Sequence, residues 1–113
     1  YGSILTDGRD KFSNIPSANI CVFANQQVDR SPTGSGVTAR IAIQHQRQLI
    51  GINEVRTFES ITGALFTGSA IRNTTCGKFK GVIVEIAGEA HYSGECIFSI
   101  EETDKIGAGF LLT

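Results

Sequence analysis

One segment of the sequence combines an acidic residue, two hydroxyl side chains and closely spaced glycines. Residues 29–36 read Asp-Arg-Ser-Pro-Thr-Gly-Ser-Gly and precede a run with helical periodicity. The first N–H groups of a helix have no partner within the helix and carry partial positive charge, and glycines let an anion approach the backbone. The 29–36 segment is therefore a candidate site for a carboxylate or phosphate, although a Pro-, Gly- and Ser-rich helix entry is also ordinary loop composition.

The same region contains a match to a nucleotide-binding motif. Residues 34–39, Gly-Ser-Gly-Val-Thr-Ala, fit the dinucleotide fingerprint G-x-G-x-x-A. That fingerprint requires its glycines in a tight turn directly after a strand and within a βαβ unit. Here the polar residues 25–33 intervene, and the sequence after the helix predicts hairpins. Nucleotide binding is therefore disfavoured.

The cysteines and histidines do not form a metal-binding pattern. Cys21, Cys76 and Cys96 are an odd number at no metal-ligand spacing, which favours neither a disulfide framework nor a zinc site. They predict reduced thiols and a cytoplasmic location. Cys21 and Cys96 lie in apolar runs and are expected to act as small hydrophobes, whereas Cys76 is expected at the surface in a hairpin turn. His45, on a helix, and His91, in a strand, are expected to be structural.

The elements that must position the 29–36 segment can be predicted from periodicity. Large side chains recur every four positions from Val37 to Leu49, and Gly51 stands where a helix-ending glycine is expected. This pattern predicts a helix at about residues 36–50 whose first two turns are buried. Short β-branched runs between turn residues predict strands at 4–5, 18–24, 55–59, 65–71, 80–86, 89–93 and 96–100. Many short strands and one buried helix indicate a small barrel or strongly curled sheet around that helix.

Composition limits the classes of function. The 113 residues suffice for one domain or for part of a larger one. Ten Lys and Arg against eleven Asp and Glu give a net charge of −1, so neither nucleic acid nor an anionic membrane is an expected partner. No apolar stretch approaches the ~18 residues of a membrane span. Methionine is absent even at position 1, which predicts an excised or processed segment.

Residues 23–40 resemble the second active-site block of the proline racemase family, whose racemases and epimerases carry Asp-Arg-Ser-Pro-Cys-Gly-Thr-Gly. The resemblance continues through residues 58–60, 63–68 and 109–112. It implies an α+β fold of the diaminopimelate-epimerase type, with a curled, mostly antiparallel sheet around a central helix. Residues 1–113 would be the C-terminal portion of a two-domain enzyme. Thr33 replaces the family's cysteine, which is the pattern of its trans-3-hydroxy-L-proline dehydratases.

The resemblance also implies roles for individual residues around a cyclic imino acid. Asp29 would face the ring nitrogen, the backbone N–H groups of Gly34 and Ser35 would hold the substrate carboxylate, and Phe23 would form an apolar wall. Thr33 would lie opposite the proton-abstracting cysteine. Without the resemblance, Asp29 is equally well explained as a turn or capping residue. Arg30 is expected to form a structural ion pair.

The implied reaction follows from the acidity of the two side chains. A thiol, with a pKa of ~8.5, can exchange protons near neutrality, whereas an alcohol cannot. Thr33 therefore favours loss of water to give pyrroline-2-carboxylate over inversion, without metal or organic cofactor. The family's Cys-Gly-His motif is absent from the chain, so the other half of the enzyme is an expected partner and the chain alone is expected to be inactive. A proline racemase or 4-hydroxyproline epimerase activity and a non-catalytic imino-acid-binding module remain alternatives. A homodimer is compatible with the resemblance.

Overall fold

The computed structural model describes residues 2–111, which form an α+β domain with one helix and five strands. Tyr1, Leu112 and Thr113 lie outside the described residues, and Leu112 is the last residue of the C-terminal stretch that carries the family resemblance. The elements in chain order are β1 (Gly2–Thr6), β2 (Ser17–Phe23), a single 3₁₀ turn (Ala24–Gln26), α1 (Gly34–Gln46), β3 (Arg56–Glu59), β4 (Leu65–Cys76) and β5 (Phe79–Gly88).

The five strands form one mixed sheet in the order β1-β2-β3-β4-β5. Strand β2 pairs with β3 in parallel, while β1–β2, β3–β4 and β4–β5 are antiparallel. The expectation of a mostly antiparallel sheet is confirmed. Of the two expected arrangements, a small barrel or a strongly curled sheet, the barrel is wrong: within residues 2–111, β1 and β5 are the two ends of an open sheet, and α1 packs on it through β4, β5 and β2.

The core lies where α1 contacts the sheet. It contains Val37, Ile41, Ile50, Phe58 and Ala70, with Phe66, Val82, Val84 and Ile86 packed against it. A glycine in β4 permits the close approach, because a Cβ at Gly68 would lie 2.9 Å from Val37 Cγ1 and 3.1 Å from Ile41 Cγ1. The predicted burial of the helix start is only partly confirmed: Val37, Arg40 and Ile41 are buried, whereas Thr38 and Ala39 are exposed.

The helix is shorter than expected at its C-terminal end. It ends at Gln46, and the backbone N–H of Leu49 donates to the carbonyl of Gln44 at 2.9 Å. Gln48 adopts φ 59°, the left-handed conformation common just after a helix. The chain therefore leaves the helix before Gly51, and that glycine is not the helix-ending residue.

Residues 89–111 contain the largest departure from the sequence expectation. The strands predicted at 89–93 and 96–100 are absent; these residues are irregular and exposed. Their large apolar side chains include Tyr92, Ile97, Phe98 and Ile100. Consequently His91 is not in a strand, and Cys96 is exposed rather than a packed hydrophobe. The reason is structural: strand formation requires a neighbouring strand, and β5 pairs only with β4 among the described residues.

Candidate functional site

A tight chain reversal brings the 29–36 segment next to the end of β2. After Phe23 the backbone makes the 3₁₀ turn, in which Asn25 and Gln26 both have φ 60°. The chain then returns antiparallel to β2, with a bridge between Val22 and Val28 and a hydrogen bond from the Asp29 N–H to the Cys21 carbonyl at 3.0 Å. This return fixes the position of Asp29 relative to the sheet.

Asp29 and Thr33 form the centre of the candidate site. The Thr33 hydroxyl donates to Asp29 Oδ2 at 2.6 Å. The other carboxylate oxygen, Oδ1, accepts hydrogen bonds from the backbone N–H of Ser31 at 2.9 Å and from the Ser31 hydroxyl at 3.0 Å. The two residues that the resemblance placed on the substrate are therefore in direct contact with each other.

The hydrogen bonds around Asp29 keep its carboxyl group ionised. The Thr33 hydroxyl is the largest influence and lowers the pKa of Asp29 below its ordinary value of 3.8, and the Ser31 backbone N–H acts in the same direction. Each of these donors stabilises the charged form. Near neutral pH the segment therefore presents a carboxylate, which suits a cationic ring nitrogen and cannot act as a proton donor.

Thr33 joins this side-chain arrangement to the helix. It is 8% exposed and stands at the N-cap position with φ 65° and ψ 109°, an unusual conformation for a β-branched residue. Its carbonyl accepts the N–H of Val37 at 2.9 Å, the first turn of α1. A hydroxyl has a single proton, and that of Thr33 is donated to Asp29, so its oxygen is left as an acceptor for any further group.

The first amides of α1 have no side-chain cap. No capping hydrogen bond is made by the Thr33 side chain. A Cβ added at Gly34 would meet nothing within 4 Å, so the space in front of this residue is open. Ser35 is exposed. Gly36, by contrast, is buried, and a Cβ added there would lie only 2.6 Å from Ile4 Cδ1. Gly34 and Ser35 thus lie at an accessible end of the helix, as an anion site requires.

Phe23 is half-buried at the end of β2 and lines a concavity of about 320 Å³ together with Gly2, Ser3, Val22 and Ala24. A second concavity, of about 290 Å³, lies between the C-terminal part of α1 and the β4–β5 hairpin. Neither is lined by a residue of the 29–36 segment. The structure thus brings together Asp29, Thr33, Gly34 and Ser35 and places Phe23 on a neighbouring surface.

Residues that sequence reasoning missed hold the backbone of this segment. The Arg30 carbonyl accepts hydrogen bonds from the Ser60 hydroxyl at 2.7 Å and the Thr62 hydroxyl at 2.6 Å. The Pro32 carbonyl accepts one from the Asn19 side-chain amide. The expected ion pair of Arg30 is not found within residues 2–111, where its side chain is exposed. The only signal for Ser60 was that it falls in a stretch resembling the family.

Across residues 2–111, no group of three or more His, Cys, Asp or Glu side chains is arranged to hold a metal ion. Cys21 is buried and Cys76 exposed, as expected, and His45 is half-buried with ring contacts to Asn73 and the Ile50 carbonyl. The described part of the chain includes no helix with the length and apolar character of a membrane span.

Comparison with protein families identifies the class. The proline racemase family model matches residues 2–111. The chain therefore belongs to the proline racemase family, and the resemblance seen in residues 23–40 is confirmed.

Individual relatives refine this similarity. Trans-L-3-hydroxyproline dehydratase of Xenopus tropicalis is 58% identical over 113 residues, which is 99% of this chain and 32% of the relative. A 3-hydroxyproline 2-epimerase of Burkholderia multivorans is 42% identical and is covered to 33%. The crystal structure of a hydroxyproline epimerase from Agrobacterium vitis with bound trans-4-hydroxy-L-proline matches with a TM-score of 0.75 and 27% identity, over 96% of this chain and 30% of that one. The chain thus spans about a third of these relatives.

Proposed function

We propose that this chain forms one wall of the active site of an enzyme that removes water from trans-3-hydroxy-L-proline. The observation that carries the proposal is the Thr33 hydroxyl, which lies 2.6 Å from Asp29 Oδ2 at the N-terminus of α1. At this position the family's racemases have a cysteine. The high identity to a protein named as a dehydratase supports the same interpretation.

The substrate would be held by charge and by hydrogen bonds. An imino acid at neutral pH carries a ring ammonium and a carboxylate. The ionised Asp29 supplies a counter-charge for the ammonium. The N–H groups of Gly34 and Ser35, at the positive end of the helix, suit the carboxylate. Phe23 would bound the ring from the adjacent strand end. The remaining wall would lie in the rest of the enzyme and would include the base that removes the Cα proton. The whole enzyme would have two domains and the diaminopimelate-epimerase-like fold.

Removal of the Cα proton leaves a carbanion, to which Thr33 cannot return a proton. Its alcohol is a much weaker acid than a thiol, and its proton is donated to Asp29. It therefore does not deliver a proton to Cα, and inversion stalls. The electron pair of the broken Cα–H bond instead forms a C2=C3 double bond while the C3–O bond breaks. The hydroxide leaves with the abstracted proton as water, and the enamine tautomerises to pyrroline-2-carboxylate. Thr33 Oγ1 can accept a hydrogen bond from the substrate hydroxyl and so orient it.

An epimerase is the second candidate, because a relative 42% identical to this chain is named 3-hydroxyproline 2-epimerase. The two activities are separated by incubating the enzyme that contains this chain with trans-3-hydroxy-L-proline in D₂O and following products by NMR. A dehydratase gives pyrroline-2-carboxylate and no C2 epimer. Accumulation of the epimer without loss of water would overturn the proposal. Binding of the imino acid with neither product would instead support a non-catalytic binding module.

The Thr33→Cys variant tests the residue that carries the proposal. A thiol at this position supplies an acid able to return a proton to Cα. We expect the variant to gain exchange of the Cα proton with inversion and to lose part of its dehydration rate. Thr33→Ser, which keeps an alcohol, is the matched control and should gain no inversion. Equal inversion by the two variants would show that an alcohol is not what blocks epimerisation.

A further inference from the structure

The backbone around Thr33 is held from two sides by side chains of other elements. On one side, the hydroxyls of Ser60 and Thr62 lie 2.7 and 2.6 Å from the Arg30 carbonyl, to which each can donate, and 2.9 Å from each other. On the other, Asn19 Nδ2 donates to the Pro32 carbonyl. The two carbonyls belong to the residues on either side of Ser31, and that of Pro32 directly precedes Thr33. A threonine at φ 65° requires such support, because this conformation is unfavourable for a β-branched residue.

The orientation of Asn19 is itself determined by buried neighbours. Its side chain is fully buried in β2, and its Oδ1 accepts from Arg40 Nη1 at 3.4 Å. Arg40 is fixed in turn by the Ser17 hydroxyl at 2.9 Å and the Asp10 carboxylate at 3.0 Å. A guanidinium only donates and a carbonyl only accepts, so the Asn19 amide fits between them in one orientation. Both a donor and an acceptor are required at position 19.

We propose that Asn19, Ser60 and Thr62 are positioning residues for the imino-acid site: they hold the backbone of residues 30–33 so that the Thr33 hydroxyl stays on Asp29 and the Gly34 and Ser35 amides stay aimed at the substrate carboxylate. None of the three touches the reacting atoms. This inference rests on the proposed function. It adds that the geometry of the site is imposed by β2 and by the residues between β3 and β4, rather than by the segment alone.

Because the hydroxyls of Ser60 and Thr62 contact the same carbonyl, we expect the double variant to lose far more kcat than either single variant. Either Ser60→Ala or Thr62→Val leaves the other donor on Arg30, so each should change kcat by less than about 3-fold. Removing both leaves the Arg30 carbonyl with neither of its side-chain donors. Because displacements of about 1 Å can cost about 100-fold in rate, we expect the double variant to lose about 10- to 100-fold in kcat, well beyond the product of the single effects. Ser60→Thr, which keeps the hydroxyl, should restore the rate when combined with Thr62→Val.

The experiment compares these variants in the enzyme that contains this chain, by steady-state kinetics and thermal unfolding. Ser69→Ala is the control, since Ser69 is similarly buried, at 5% exposure, but lies in β4. The proposal requires a fall in kcat for the double variant at an unfolding midpoint close to that of the control. Additive small effects, or activity that falls only with the midpoint, would overturn it. Asn19→Asp, which places an acceptor against the Pro32 carbonyl, should also lower kcat.

Failure of the dehydratase proposal can be distinguished from failure of the positioning proposal. If the unsubstituted enzyme does not release water from trans-3-hydroxy-L-proline, the dehydratase proposal fails, and the positioning proposal is then tested by calorimetric titration with L-proline. The double variant should bind L-proline at least about 10-fold more weakly than the Ser69→Ala control. Equal binding by the two would overturn the positioning role.

Discussion

Apart from the first turn of α1, residues 29–36 contain no helix or strand, and residues 89–111 contain none either. The two segments differ in the contacts that hold them in place. Residues 29–36 are fixed by hydrogen bonds from Asn19, Ser60 and Thr62 and by the start of α1. Residues 89–111 have mainly short-range turns, and their large apolar side chains are exposed, as with Phe98 at 88%. A site-forming segment therefore needs partners distant in sequence, and local turn chemistry alone does not place it.

The largest expected effect on activity comes from comparing one aspartate in each region. Asp29 and Asp104 both accept a backbone N–H two residues ahead, from Ser31 and Ile106 respectively. Asp29→Asn removes the proposed counter-charge for the ring ammonium and weakens the acceptor for Thr33. Losing one partner of a hydrogen-bonded charge pair costs ~2–5 kcal/mol, so we expect kcat/KM to fall by at least about 30-fold. Asp104→Asn should leave kcat/KM unchanged.

The measurement is steady-state kinetics on trans-3-hydroxy-L-proline for both variants of the enzyme that contains this chain. A similar loss for the two would show that turn stability, and not the charge at the site, explains the effect.

The second effect contrasts a buried and an exposed phenylalanine. Phe58 is fully buried beneath α1, whereas Phe98 is 88% exposed. Replacement of a buried Phe by Ala typically costs ~3–5 kcal/mol, and surface substitutions stay within ~0.5 kcal/mol. We expect Phe58→Ala to lower the free energy of unfolding accordingly and Phe98→Ala to leave it unchanged, as measured by denaturant titration of this chain. A destabilisation by Phe98→Ala comparable to that of Phe58→Ala would mean that residues 89–111 pack against the domain.

A third, smaller effect contrasts two glycines. A Cβ at Gly68 would meet Val37 and Ile41 at 2.9 and 3.1 Å, whereas one at Gly94 would meet nothing within 4 Å. Overpacking of this kind costs ~1–3 kcal/mol. Gly68→Ala should therefore reduce the unfolding free energy by about that amount, and Gly94→Ala by less than ~0.5 kcal/mol. Equal stability of the two variants would show that α1 is able to move away from β4 at little cost.

These contrasts show what could be predicted from sequence. The β-branched runs and flanking turn residues of 65–71 and 80–86 predicted strands that the structure confirms as parts of β4 and β5, joined by a turn after Cys76. The same kind of pattern at 96–100 gave a wrong prediction. The local sequences are comparable, and the difference is a neighbouring strand, which is a property of the whole chain.

The candidate site also has one part that could be predicted from the sequence and another that could not. Residues 29–36 were recognisable because glycines, a proline and an aspartate are adjacent in sequence. Their support was not, because Asn19, Arg40 and Ser60 come from three separate parts of the chain, and residues of these polar types are mostly found at the surface. Their burial follows from the hydrogen bonds that they exchange once the elements are packed. Arg56, fully buried and donating to the carbonyls of Arg9 and Lys11, is a further example.

The smallest predicted effect concerns pH and the hydrogen bond between Thr33 and Asp29. Because the folded-state pKa of Asp29 lies below its ordinary value of 3.8, its ionised form stabilises the fold. This stabilisation is fully present above pH 3.8 and is lost as the pH falls through the lower folded-state pKa. Thr33→Val removes the main cause of the shift, so the pKa of Asp29 should rise toward 3.8, which carboxyl NMR titration measures directly.

The stability difference between the unsubstituted chain and Thr33→Val should accordingly narrow in acid and be constant from about pH 5 upward. Thr103→Val, an exposed change among residues 89–111, provides the control and should show no pH-dependent difference. If the stability difference between the unsubstituted chain and Thr33→Val instead widens in acid, Thr33 favours the protonated form of Asp29. Thr33 would then be the acceptor in its contact with Asp29, and its own proton would be free for the substrate hydroxyl.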